Sequence, residues 1–342
     1  MSVRSLVTCG LLALAALAGA QQFGRMSSVK EHKIGLVVHG GAGTMERGKM
    51  TPEAEHQYRV GIENALRAGW EILQHGGSAL DATEAAVRVF EDDPLFNAGK
   101  GSVFNAAGVN EMDAAIMDGK TLRAGTVANI QHVKNPISLA RLVMEKSPHV
   151  MMAGEGAEAF AKEHGVELVD AKYFFTRERW DALQKVKAAE KAGGNGDKKF
   201  YLSDQDLHGT VGAVALDRYG NLAAATSTGG KTGKLPGRVG DTPIIGGGTY
   251  ANNATCAVSG TGDGEFFIMA TATHDVSALM EYRHKTVQEA SIAVIDKIGK
   301  LGGTGGMIAI DKSGNISLPF NTSGMYRGYA DANGKFVTEI YR

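Results

Sequence analysis

Two rhythms of apolar and polar positions organise the chain. The period-two rhythm is clearest from Thr210 to Asp217, where Val211, Ala213 and Ala215 point one way and Gly212, Val214 and Leu216 the other, with no charge on either face. Such a run predicts a strand buried on both sides. Lys33–Val38, Val103–Met117, Thr121–Ile130 and Leu222–Thr228 also read as strands, with Asp118-Gly119 as a connecting turn. The helical rhythm runs through Glu53–Gln74, with apolar residues at Val60, Ile62, Leu66, Trp70 and Leu73. Thr51-Pro52 supplies an N-cap and a first-turn proline, and Gly76-Gly77 ends the helix. Ser78, three residues before Asp81, starts the next helix, whose core face is Ala82, Ala86, Val89 and Phe90. Pro136–Lys146, Gly154–His164 and Arg177–Glu190 predict further helices, and His274–Lys300 predicts one long one closed by Gly302-Gly303.

Two stretches repeat one design: a hydrophobic strand, an Asp-x-x-Gly-Asn turn and a second strand, at 214–222 and 308–316. They read as two similar hairpins. Strand-rich sections alternating with helix pairs imply an α+β layered architecture, sheets covered by helices. The chain of 342 residues has room for a sizeable core. Its net charge of −1 gives no reason to expect nucleic acid or an anionic membrane as partner. The 46 glycines follow no regular repeat, which excludes a collagen-like chain and suits tight turns and close backbone approach.

Residues 1–20 stand apart. Arg4, the apolar run Leu6–Leu17 and the small-residue site Ala18-Gly19-Ala20 have the form of a secretory signal peptide, too short for a membrane span. Cleavage after Ala20 leaves Cys256 as the single cysteine, with no disulfide partner in its own chain. The expected product is exported, to a periplasm or beyond the cell.

The polar run 191–208 leads into Gly209-Thr210 at the edge of the predicted strand. A cut there frees a threonine whose own amine serves as base for its own hydroxyl. Thr228, at the end of the hairpin partner strand, falls at the same end of the sheet. Arg238 and Asp241, in a glycine-flanked turn, present opposite charges suited to the carboxylate and ammonium of an amino acid. Ser259-Gly260-Thr261-Gly262-Asp263-Gly264-Glu265 has the glycines that let backbone N–H groups form an oxyanion hole. Asn97 adds a neutral amide. The acid-rich stretch around Glu91-Asp92-Asp93 reads either as a solvated turn or as a loop that winds its carbonyls around a small cation. His39-Gly40-Gly41-Ala42-Gly43-Thr44 is a turn approached closely by something, and it lacks the lysine of a P-loop. His39, His274 and His284 are isolated, with no metal-ligand spacing.

Together, HGGAGT (39–44), PLFNAGKGSVFN (94–105), MDGKTLRAGTVA (117–128), SPHVMM (147–152), the continuous stretch from GTVG through STGG to GRVGD (209–241), YANNATCAVSGTGDGE (250–265) and SLPFNTSGMYR (317–327) carry a resemblance. The chain resembles the plant-type L-asparaginase / isoaspartyl peptidase family of N-terminal-nucleophile hydrolases over nearly everything after residue 33. The resemblance implies a four-layer αββα sandwich and a precursor that cuts itself between Gly209 and Thr210. Residues 21–209 and 210–342 would then be two associated pieces of one domain, with a mobile linker at about 191–208.

By resemblance, Thr210 is nucleophile and base, Thr228 assists, Thr261 and Gly262 form the oxyanion hole and Asn97 orients the site. The aspartyl end of the substrate falls to Arg238, Val239, Gly240 and Asp241 and to Thr261, Gly262, Asp263 and Gly264. Arg238 takes the α-carboxylate, Asp241 the α-amine. A sodium ion is implied on the backbone carbonyls of Phe90, Glu91, Asp93, Phe96, Ala98 and Lys100, with no cofactor for the chemistry. The implied substrates are β-aspartyl dipeptides and L-asparagine, and the implied assembly is a dimer of such cleaved pairs. Departures are Lys100, Gly260 and Asp263, the last placing an acid in the oxyanion turn. The competing readings are a glycosylasparaginase with the same machinery and an uncleaved amino-acid-binding protein.

Overall fold

The computed structural model describes residues 33–192, 209–330 and 334–342. The expected signal peptide, the leader to residue 32 and residues 193–208 of the expected linker lie outside the described residues. The first strand, β1 (Gly35–Gly43), starts later and runs further than the sequence pattern suggests. The glycine-rich motif is strand, with an irregularity between His39 and Gly41. What comes close to it is Gly209: a Cβ on Gly41, whose φ is +115°, would stand 2.7 Å from the Gly209 nitrogen.

The caps predicted from sequence start their helices. Thr51 Oγ1 accepts from the Ala54 N–H at 3.2 Å and opens α1 (Pro52–Gln74); Ser78 Oγ accepts from the Asp81 N–H at 3.1 Å and opens α2 (Ala79–Asp92). Val60, assigned to the core face of α1, is exposed. The long strand expected at Val103–Met117 shrinks to β2 (Met112–Asp118). Its first part is loop because two asparagine side chains bond to local backbone instead of leaving it to a ladder. Asn105 Oδ1 accepts from Ala107 and Val109, and Asn110 Nδ2 donates to the Ser102 and Val103 carbonyls.

There follow β3 (Ala124–Ile130), α3 (Pro136–Lys146), the short β4 (Met151–Ala153), α4 (Gly154–Glu163) and α5 (Arg177–Ala192). Beyond Thr210 come β5 (Val211–Leu216), β6 (Leu222–Thr228), β7 (Thr249–Ala251) and β8 (Cys256–Gly262), then α6 (Gly264–Ala270). The single helix expected at His274–Lys300 is two, α7 (Ala272–Arg283) and α8 (Val287–Lys300). His284 breaks it in a left-handed conformation at φ 51°, and a capping box between Thr286 and Glu289 restarts it. The chain closes with β9 (Gly305–Asp311), β10 (Ile316–Ser317), β11 (Gly324–Ala330) and β12 (Phe336–Tyr341).

Among the described residues one sheet has the order β12-β11-β1-β5-β6-β2-β3-β4 and the other β10-β9-β8-β7. The two Asp-x-x-Gly-Asn turns, one in each sheet, share their bonding. Asp217 Oδ1 accepts from Tyr219 and Asn221, and Asp311 Oδ1 from Ser313 and Asn315, each N–H at 2.8 or 2.9 Å. Alternation along β5 sorts its residues between two cores. Val211, Ala213 and Ala215 pack with residues of α1, α2 and α3 such as Leu66, Phe90 and Leu139. Val214 and Leu216 face Ala257, Ile308 and Ile310 of the second sheet. The other face of that sheet, through Val258 and Ala309, packs on Val276 of α7 and Val294 of α8. The layers are helix, sheet, sheet, helix: the α+β four-layer αββα sandwich expected. Cys256 is buried and free, and no described helix is long and apolar enough to cross a membrane.

Candidate active site

The face between the two sheets changes character along its length. At one end it is apolar, with Val37, Val214, Leu222, Ala224 and Ala257. One strand repeat further along the same faces stand His39, Gly212, Thr226 and Ser259, and one repeat beyond those stand Thr210, Thr228 and Thr261. The interior of the sandwich thus runs from hydrocarbon through buried hydroxyls to a reactive rim.

Extending the register of β5 with β6 places Thr210 opposite Thr228, and their hydroxyl oxygens are 3.1 Å apart. Both are buried. Gly230 N–H also donates to Thr228 Oγ1, at 3.0 Å. Thr261 Oγ1 accepts from Ala42 N–H at 3.3 Å and lies against Gly209, where a Cβ would meet it at 2.7 Å. Gly209 and Thr210 are consecutive in an uncut chain, so this is the arrangement that precedes any cleavage.

Thr210 and Thr228 open onto a cleft of about 260 Å³ that is also lined by Asn97, Arg238, Gly240, Asp241, Gly262 and Asp263. Asn97 is fixed at both ends of its amide: Nδ2 donates to Gly230 O at 2.7 Å and Oδ1 accepts from Val103 N–H at 3.0 Å. Gly240 and Gly264 leave room for the charged pair. A Cβ on Gly240 would stand 2.8 Å from Arg238 Nη1, and one on Gly264 would stand 2.7 Å from Asp241 Oδ1. Val239 is half-buried between them. Asp241 is wholly buried, its Oδ2 has no hydrogen-bond partner, and burial pushes its carboxyl up to about 7 despite Arg238 nearby. A buried carboxylate with one oxygen unpartnered, at the wall of a cleft, is suited to an incoming cation.

Sequence reading missed the charges that surround this pair. Glu265 Oε1 bonds Arg238, and Glu265 Oε2 lies 3.1 Å from Lys231 Nζ. Lys231 also pairs with Asp263 Oδ1 at 2.9 Å, while Asp263 Oδ2 accepts from Thr304 N–H and Oγ1–H, each at 2.9 Å. Asp263 is therefore occupied at both oxygens by groups outside the oxyanion turn. Where Gly260 leaves space, the Phe267 ring fills it at 2.9 Å from the absent Cβ. Lys234, nearly buried, donates to Glu111 O at 2.7 Å, and the Glu111 carboxylate accepts from Gly237 N–H, which braces the Arg238 turn.

From the last turn of α2 at Phe90–Asp92 the chain folds tightly through to Lys100. A Cβ on Gly101 would strike the Phe96 and Pro94 carbonyl oxygens, and one on Gly99 would strike the Glu91 carbonyl. The Lys100 ammonium sits over the Tyr173 ring at 5.4 Å, away from the loop's carbonyls. Glu91 is buried, and burial pushes its carboxyl up to about 8; it accepts from Ser227 Oγ at 2.7 Å and from Ile137 N–H, in the first turn of α3, at 3.0 Å. The described residues hold no cluster of three or more His, Cys, Asp or Glu arranged for a metal.

The family model described as asparaginase matches residues 32–340. The isoaspartyl peptidase of Escherichia coli (strain K12) is 50% identical over 313 residues, covering 91% of this chain and 97% of that protein. A probable isoaspartyl peptidase/L-asparaginase of Arabidopsis thaliana is 42% identical, covering 90% of this chain and 98% of its own. The isoaspartyl peptidase/L-asparaginase of Mus musculus is 45% identical, covering 89% of this chain and 90% of its own.

Proposed function

Because the chain belongs to the asparaginase family, we propose that it hydrolyses β-aspartyl dipeptides and L-asparagine with Thr210 as nucleophile. One observation carries the reading: the Thr210–Thr228 hydroxyl pair opens onto the same small cleft as Arg238 and Asp241, whose Oδ2 has no partner.

Self-cleavage comes first. Thr210 Oγ attacks the Gly209 carbonyl carbon, the backbone C–N bond breaks and an ester forms. Water then opens the ester, leaving a Gly209 carboxylate and a free Thr210 amine. That amine, with a pKa of about 7.7–8.0, takes the hydroxyl proton near neutrality. In turnover Thr210 Oγ attacks the side-chain carbonyl of the β-linked aspartyl group. The amine or ammonia leaves with a proton, and water releases L-aspartate from the ester. Arg238 binds the α-carboxylate and Asp241 the α-ammonium, groups that asparagine and an isoaspartyl N-terminus both carry free. Thr228 polarises the nucleophile, Thr261 and Gly262 stabilise the oxyanion and Asn97 fixes the 228–230 backbone. Val239, Gly240, Asp263 and Gly264 shape the aspartyl pocket.

A sodium ion fits the 90–100 loop as structural support: glycines 99 and 101 exist where carbonyl oxygens crowd inward, and such oxygens suit a hard cation. Phe90, Glu91, Asp93, Phe96, Ala98 and Lys100 would hold it through their carbonyls. The Arg4-to-Ala20 pattern supports export, with the periplasm as the first destination. The expected assembly is a dimer of cleaved pairs.

The test is a denaturing gel with mass spectrometry of purified protein, alongside assays on β-aspartyl-leucine and asparagine. Two fragments, one beginning at Thr210, and release of aspartate are expected. Thr210→Ala should stay uncut and inactive. A fully active preparation with no fragment beginning at Thr210 would overturn the reading.

A further inference from the structure

We propose that the Thr226 hydroxyl is the hub of a positioning network that holds the nucleophile, the oxyanion strand and the substrate-gripping turn in mutual register. The inference rests on the Thr210 reading above.

Four polar side chains from four strands meet in the interior between the sheets, each fully buried: His39, Thr226, Thr249 and Ser259. His39 Nε2 is 2.8 Å from Ser259 Oγ, Ser259 Oγ is 2.8 Å from Thr226 Oγ1, and Thr226 Oγ1 is 2.7 Å from Thr249 Oγ1. Thr249 Oγ1 is 3.1 Å from the Thr242 carbonyl oxygen. The Thr249 hydroxyl donates toward Thr226 Oγ1 and also faces the Thr242 carbonyl oxygen, and the Thr226 hydroxyl faces the Gly248 carbonyl oxygen at 3.5 Å. Thr226 and Ser259 share a hydrogen bond that either hydroxyl can donate, and the His39 ring extends the chain from Ser259. Burial pushes the His39 ring down to about 3, with the nearby Thr210 backbone offsetting this only in part, so the ring is neutral throughout the working range.

Each member stands next to a residue of the site. Thr226 is one strand repeat from Thr228, and Ser259 one repeat from Thr261. His39 and Thr226 are the two register partners of Gly212, itself one repeat from Thr210. Thr242 follows Asp241. Gly212 lets the network close: a Cβ there would overlap Ser259 Oγ and come within 2.5 Å of His39 Nε2. Apolar side chains would fill this volume equally well, as they do one repeat away. Hydrogen bonds fix relative position more sharply than hydrocarbon contact, and a misplacement of about 1 Å costs up to about 100-fold in rate.

The test compares Thr226→Val, which keeps the shape and removes the hydroxyl, with Thr226→Ser, which keeps the hydroxyl. Readouts are the fraction self-cleaved, kcat and KM on β-aspartyl-leucine, the pH profile of kcat and the melting temperature. Thr226→Val should lower kcat about tenfold or more and slow self-cleavage, with the pH profile unchanged in shape. Thr226→Ser should stay within about twofold of wild type. Should Thr226→Val fail to fold, Thr249→Val and Thr249→Ser make the same comparison one link along. The proposal is overturned if the valine variants keep wild-type kcat, or if the serine variants lose as much as the valine ones, which would make the packing and not the hydroxyl responsible. A wild-type chain that is uncut and inactive would instead sink the Thr210 reading, and this one with it.

Discussion

Glu265 holds Arg238 from the side: Arg238 Nε and Nη2 lie 3.0 and 2.9 Å from Glu265 Oε1. Nη1 is left near Gly240, facing the turn that closes the aspartyl pocket. Partial burial works against the Glu265 charge, but Arg238 and Lys231 outweigh it and hold the carboxyl down to about 2. A guanidinium anchored along one edge is pre-oriented for a substrate carboxylate on the other. Glu265→Gln should therefore raise KM for β-aspartyl-leucine about five- to tenfold, roughly one charge-assisted hydrogen bond, with kcat within about twofold. Steady-state kinetics check this; an unchanged KM would show that Arg238 needs no lateral support.

Asp241 sets a pH dependence on binding. Its carboxyl is raised to about 7 by burial, while the α-ammonium it is proposed to receive needs the ionised form. As pH falls through about 7 the free site becomes protonated, and KM should climb about tenfold per pH unit below that point while kcat follows the Thr210 amine separately. The stability effect has the opposite sense. A carboxyl whose folded-state pKa is raised binds its proton more tightly when folded, so its contribution to stability is complete below about 4 and is lost as pH rises through about 7. Saturating aspartate should reverse that loss in melting curves at pH 8. Competition by aspartate measured from pH 5.5 to 8.5 tests the binding half, and Asp241→Asn should flatten the profile.

How far these features were legible in the sequence depends on whether local chemistry decided them. The Thr210–Thr228 pairing follows from two uniform strands and the Asp217-x-x-Gly-Asn turn between them, which fixes register. The caps at Thr51 and Ser78 are equally local. Val103–Val109 carried strand-like residues, but Asn105 and Asn110 bonded to their own neighbourhood and turned the chain. The pairing of Lys231 with Asp263 and of Arg238 with Glu265 joins the loop after β6 to the start of α6, about 30 residues on, a meeting no spacing rule encodes. In the sequence His39 stands isolated, with no metal-ligand spacing. It is buried in the core, yet its partners become visible only when β8 lies across β5.

Gly212, one strand repeat from Thr210, lies against Ser259 of the second sheet and His39 of the neighbouring strand. Gly212→Ala places a methyl on Ser259 Oγ and against His39 Nε2 in a packed interior. Overpacking of this kind costs about 1–3 kcal/mol, and the displaced strand carries Thr210 with it. The variant should melt at a lower temperature and accumulate as uncut precursor, which a denaturing gel time course would display. Gly237→Ala makes a contrast: its φ of +82° strains the backbone, but a Cβ there meets nothing within 4 Å. It should lower stability by about 1 kcal/mol while leaving self-cleavage intact.

Sodium, if it sits in the 90–100 loop as proposed, should be felt both as stability and as rate. A ligand that binds only the folded chain stabilises it by RT ln(1 + [L]/Kd), about 2.7 kcal/mol at a hundredfold excess over Kd. The melting temperature should therefore rise with the logarithm of sodium concentration and not with choline at equal ionic strength. The loop carries Asn97, whose amide ties Val103 to the backbone beside Thr228, so loosening it should lower kcat in step. Gly101→Ala supplies the control within the chain. Its methyl would occupy the space where the Phe96 and Pro94 carbonyls converge, so the sodium dependence of both melting and kcat should disappear together. A choline-exchanged protein that melts and turns over like the sodium form would leave the loop's fold to Arg179, which already donates to the Gly101 and Leu95 carbonyls at 3.0 and 3.1 Å.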